Sequence, residues 1–116
     1  MPTFNVQTNV PLDDCVLVSD ILKQTSKAVA NIIGKPESYV MISLRGGVPM
    51  LFGGSEDPTA YGELISIGGL GPEINEQLSA ALAEILQTNL SVPPARFYIK
   101  FYDVKMTDFG WNGATF

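Results

Sequence analysis

The sequence predicts an α+β fold of two layers, a four-stranded sheet with two helices on one of its faces. Three observations carry this expectation. Side chains alternate between polar and apolar over short stretches, apolar residues recur at helical spacing over two longer ones, and the strand–helix–strand order occurs twice, half a chain apart.

The first strand is expected over "TFNVQTNV", with Pro2 leading it although proline has no N–H to give a sheet. In "CVLVSDILKQTSKAVANIIG", Val18, Ile21, Leu22, Ala28, Val29, Ile32 and Ile33 recur at helical spacing. Asp13 and Asp14 suit the N-terminus of that helix, and Gly34 supplies its stop. "SYVMISL" reads as the next strand. In the second half "AYGELISI" is a strand and "PEINEQLSAALAEILQ" a helix, with Pro72 near its first turn and Ile74, Leu78, Leu82 and Ile85 as its apolar stripe. "RFYIKFYDV" closes the set, while "VPMLFGG" and "TDFGWNGATF", rich in glycine and aromatics, suit edge strands or subunit contacts.

The halves align at an offset of 58 residues, with Pro36 over Pro94 and Tyr39 over Phe97; at an offset of 57 the Phe-Gly of "LFGGS" meets that of "FGWNG". Residues 1–116 are therefore expected to form one domain of two βαβ pseudo-repeats, about 2–54 and 59–112. Two such units facing one another give the four-stranded sheet. Its other face is expected to stay apolar and uncovered, because Val40, Ile42, Ile65 and Tyr98 cannot all point toward the helices. A trimer with three sheets around a common centre would cover that face; a dimer is the simpler solution.

Composition narrows the function. The chain is 46% hydrophobic and 16% charged, which again favours an oligomer. Twelve acidic residues against seven scattered basic ones give a net charge of −5, which argues against nucleic acid and against an anionic membrane surface. A single cysteine, Cys15, and no histidine leave no internal disulfide and no thiolate metal cage. No signal-peptide pattern opens the chain and no apolar run reaches membrane-spanning length, so the expected address is the cytoplasm.

Acid–base chemistry near neutral pH then needs an unusual group. Removal of Met1 before a small residue would leave Pro2 with a free secondary amine, whose pKa falls when it is desolvated or set beside a cation. Lys35, in "GKP", is either a lysine complementing a helix C-terminus or a carboxylate clamp that also depresses the proline. "SIGGLGPE" offers backbone N–H groups between a strand end and a helix start. Tyr39, Tyr98, Phe109, Trp111 and Phe116 are core, interface or the lining of an apolar cleft, and Cys15, beside a helix start, is expected as a partly buried small apolar residue rather than a reactive thiol.

Together "MP", "TNVP", "GKPESYV", "FGGSEDP", "SIGGLG", "RFYIKFYD" and "FGWNGATF" run the length of the chain in an order and spacing that resemble the macrophage migration inhibitory factor and D-dopachrome tautomerase family, within the tautomerase superfamily. "GKPESYVMI" and "EDPTAYGELISIGGL" look most like its plant and algal members. The resemblance implies a homotrimer with active sites at subunit interfaces and a processed N-terminal proline as catalytic base. It implies that Pro2 shuttles a proton in a small aromatic 2-oxo acid such as phenylpyruvate, or in a dopachrome-like substrate. Lys35 would hold the carboxylate with help from the backbone N–H of Ile67 beside Ser66. Tyr98 would arrive from the neighbouring subunit, and Tyr39, Phe109, Trp111 and Phe116 would shape the pocket. No metal or cofactor is implied. Where animal relatives carry an amide, this chain has Lys100, a second cation expected to lower the Pro2 pKa further and favour anionic substrates. "AYGE" replaces the Cys-x-x-Cys of the animal cytokine, and Leu12 stands where an arginine would mimic a chemokine. The alternative the resemblance carries is a cytokine-like interaction protein with a vestigial pocket, secreted without a signal peptide and bound by a cell-surface receptor.

Overall fold

The computed structural model describes all 116 residues. Strand β1 (Thr3–Thr8) leads to helix α1 (Cys15–Ile33) and strand β2 (Met41–Arg45); strand β3 (Ala60–Ser66), helix α2 (Pro72–Leu90) and strand β4 (Phe97–Asp103) repeat the pattern. The sheet order is β2-β1-β3-β4, with β1 parallel to β2, β3 parallel to β4, and the two halves joined by the antiparallel β1–β3 pair. In that pair Asn5 lies opposite Glu63, its own counterpart 58 residues on, so a pseudo-twofold axis passes between them.

Local chemistry explains the helices. The Asp14 carboxylate accepts the N–H groups of Val16 and Leu17 and starts α1, and Gly34 ends it in the left-handed region at φ 77°. Helix α2 starts on Pro72 at its first position and ends on Ser91 at φ 57°. Both helices bury one stripe against the sheet, where Phe4, Val6, Ile21, Val29, Leu64, Leu78, Leu82 and Leu86 form the centre of the core. Thr25 and Ala30 are buried in α1 where Ala28 was expected. A threonine there breaks the apolar pattern without leaving the helix face that packs.

Three expectations need correction. The stretches after Pro36 and Pro93 enter their strands through single 3-10 turns, Glu37–Tyr39 and Pro94–Arg96, so each strand is shorter than its alternating run. "VPMLFGG" holds only a bridge between Phe52 and Ser55, whereas the C-terminal segment does form a hairpin, β5 (Gly110–Trp111) with β6 (Ala114–Thr115), turned by Asn112 and Gly113 at positive φ. The face away from the helices is mixed rather than apolar, with Met41, Tyr98 and Tyr102 exposed on it among polar residues. Ile42 sits in register with Phe4 and packs, with Val40, against the core, leaving Asn5, Gln7, Ser43, Arg45, Glu63 and Lys100 among the residues of the open face beside Ile65 and Tyr98.

Candidate active site

The antiparallel register that pairs Thr3 with Ile65 carries Pro2, at the head of β1, to the end of β3 at Ser66. Pro2 is fully buried, and its carbonyl accepts the Met41 N–H at 3.0 Å. The sheet thus holds Pro2 by its carbonyl and makes no demand on its nitrogen.

Lys35 follows the left-handed Gly34 that ends α1, a turn that throws its half-buried side chain back toward the same strand ends. Its ammonium donates to the Ile67 carbonyl. Ile67 therefore meets Lys35 through its C=O, whereas the sequence suggested a role for its N–H. Burial, then the charge of Lys35, then a hydrogen bond with it, hold the N-terminal amine of Met1 below the ordinary 8.0. An amine and an ammonium face each other at this end of the sheet: one inclined to be neutral, the other fixed on a backbone carbonyl.

The segment that presents Ile67 is tied from several sides. The Ser66 hydroxyl donates to the Gly68 carbonyl at 2.7 Å, the Gly68 N–H donates to the Asp103 carboxylate at 3.0 Å, and the Val104 N–H donates to the Ser66 carbonyl at 3.0 Å. Gly69, at φ +74°, passes so close that a Cβ would lie 2.7 Å from Ile33 Cγ2 and 3.4 Å from Lys35 Cε. The glycine pair of "SIGGLG" was visible in the sequence. Asp103 was not, since an acid closing a strand has no distinctive spacing.

Four of the predicted aromatics come together. Trp111 stacks on Phe116 at 5.3 Å, Phe116 meets Phe109 edge-on at 5.9 Å, and Tyr39 meets Trp111 edge-on at 5.9 Å. The other two named residues of the site do not join them. Tyr98 sits at the far end of β4, 65% exposed and edge-on to Phe52 at 4.9 Å, while Lys100 lies 5.6 Å from the Tyr102 ring. Five residues separate Tyr98 from Asp103, the partner of Ser66, which is about 16 Å along a strand. Within one chain Tyr98 is remote from Pro2.

A hollow of about 300 Å³ on the open sheet face is lined by polar side chains including Asn5, Gln7, Arg45 and Glu63 and does not include Pro2 or Lys35. No set of three or more Cys, Asp or Glu side chains converges to hold a metal ion, and no helix is long and apolar enough to cross a membrane.

Comparison with known proteins places this geometry. The family model described as macrophage migration inhibitory factor (MIF) matches residues 1–116. A macrophage migration inhibitory factor homolog of Trichuris trichiura is 45% identical over 116 residues, covering the whole of both chains. Among solved structures, the macrophage migration inhibitory factor homologue from Prochlorococcus marinus superposes with a TM-score of 0.93 at 41% identity, covering 98% of each chain. The corresponding protein of Trichinella spiralis gives 0.88 at 43%, covering 98% of this chain and 99% of that one.

Proposed function

This chain belongs to the macrophage migration inhibitory factor family, and we propose that it is a keto–enol tautomerase that works without a cofactor, with Pro2 as its base. The observation that carries the proposal is the burial of Pro2 at the head of β1, next to an N-terminal amine whose proton affinity is lowered by desolvation and by Lys35. Removal of Met1 transfers the role of N-terminal amine to Pro2, a secondary amine held rigidly by its ring and by the bond to Met41. In its neutral form that amine takes the proton from the enol oxygen of a 2-oxo acid and returns it to the adjacent carbon, leaving the keto form. Lys35 holds the substrate carboxylate while Ile67 keeps its ammonium in place. The Tyr39, Phe109, Trp111 and Phe116 cluster supplies an apolar wall suited to an aromatic ring, as in phenylpyruvate.

The pocket is completed in a homotrimer. Tyr98 and Lys100 lie too far from Pro2 to act on the same substrate within one chain, and a neighbouring subunit brings them, with Lys100 adding a second cation for the carboxylate. The test is intact-mass determination alongside a phenylpyruvate assay of the parent and Pro2→Gly. A parent whose mass lacks Met1 is expected to turn over phenylpyruvate, with Pro2→Gly slower by about a hundredfold or more. Equal turnover by the two proteins removes Pro2 from the mechanism.

A second reading is a cytokine-like ligand for a cell-surface receptor, released from the cytoplasm without a signal peptide. Lys100 in place of the amide of animal relatives is the observation that favours it. A parent with a free Pro2 amine and no turnover would support that reading.

A further inference from the structure

Asp103 has no part in the proposed chemistry so far; it stands at the last position of β4, opposite Ser66. Its carboxylate accepts the Gly68 N–H at 3.0 Å, and the next residue, Val104, donates to the Ser66 carbonyl at 3.0 Å. The end of β4 thus grips the chain on both sides of Ile67. Gly68 sits at φ +69° and Gly69 at φ +74°, so two glycines in succession occupy the left-handed region and the segment has little backbone preference of its own to keep it there. Its carbonyl at Ile67 is the acceptor for the Lys35 ammonium, and its Gly69 passes against the Lys35 stem.

We propose that Asp103 is a positioning residue: by fixing the Gly68 N–H it holds the Ile67 carbonyl where it aims the Lys35 ammonium at the N-terminal amine and at the substrate carboxylate. The inference deepens the tautomerase reading and rests on it for the substrate, but its geometric part concerns the folded protein alone. A charged acceptor on a backbone N–H is a strong form of hydrogen bond, and an amide oxygen at the same place retains the contact.

Asp103→Ala and Asp103→Asn are compared with the parent by three readouts: phenylpyruvate kinetics, NMR titration of the N-terminal amine, and hydrogen exchange at the Gly68 amide. In Asp103→Ala the KM is expected to rise about fivefold, the loss of one such bond, with kcat kept at pH values above the titration of the amine and lowered below it. The Gly68 amide exchanges faster, and the amine titrates at higher pH because the Lys35 charge has moved away. Asp103→Asn restores all three toward the parent. An amine titration and a KM unmoved by Asp103→Ala overturn the proposal, as does an asparagine variant no different from alanine. If the parent itself fails to turn over phenylpyruvate, the tautomerase reading falls, and the amine titration still decides whether Asp103 positions Lys35.

Discussion

The two ends of the β1–β3 pair are related by the pseudo-twofold axis, yet only one of them gathers the residues of the proposed active site. At one end, beside the buried Pro2, the Met1 amine, Lys35 and Ile67 meet. The counterparts of Pro2, Ile67 and Lys35 at the other end are Ala60 and Asn9, each at the offset of 58, and Val92, at the offset of 57 that superposes α1 on α2. Ala60 and Val92 are buried in the core. Asn9 spends its side chain on the Glu56 and Asp57 carbonyls and the Thr59 N–H. The loop over that end is clamped by Arg96, whose guanidinium donates to the carbonyls of Phe52, Ser55, Asp57 and Pro58 at 2.9 to 3.1 Å. One frame, used twice, gives one end plugged by packed side chains and another that holds a lysine beside the N-terminal amine. The difference lies in a few side chains, above all lysine against valine just after the helix.

That contrast breaks most sharply at Val92→Lys. The new ammonium enters the apolar core in which Val92 is buried and is either desolvated or neutralised, so a loss of about 4 kcal/mol is expected in urea denaturation. A near-neutral result would mean that the two ends differ less in burial than the 0% exposure of Val92 indicates.

The reciprocal change, Lys35→Ala, keeps the fold and empties the reactive end. A fall in kcat/KM of about tenfold to a hundredfold is expected, mostly in KM, through loss of the carboxylate anchor. The pH profile should move too. Lys35 lowers the proton affinity of the amine, so without it the amine stays protonated to higher pH, the neutral base becomes scarcer, and the acid limb shifts upward. An unmoved limb would show the amine and Lys35 to be uncoupled.

The smallest effect tests the helix starts. Asp14→Ala removes the side-chain cap of α1 and should cost about 1 kcal/mol, read by thermal or urea denaturation. Helix α2 starts on Gly71 and Pro72 with no side-chain cap to lose, so the two helices are not interchangeable at their beginnings.

Much of this was readable in the residues themselves. Periodicity gave both helices and all four strands of the sheet, and the repeat gave their pairing into halves, because each rests on neighbours close in sequence. Pro2 and Lys35 stood out because a chain without histidine has few bases to offer. What stayed hidden depends on distant partners. The mixed nature of the open face follows from registers such as Phe4 with Ile42, which a short strand at the sheet edge does not announce. Asp103 reaches Gly68 across 35 residues and Arg96 reaches its loop across 38 to 44, and neither contact leaves a pattern along the chain.

Pro2 enters the sheet by its carbonyl alone, through the bond from Met41. Inheritance can therefore treat its two ends separately. Under the proposed mechanism, a lineage that kept its first methionine would silence the base without altering a single codon of the fold, and what descended would be an intact scaffold whose surface remained open to selection for other work.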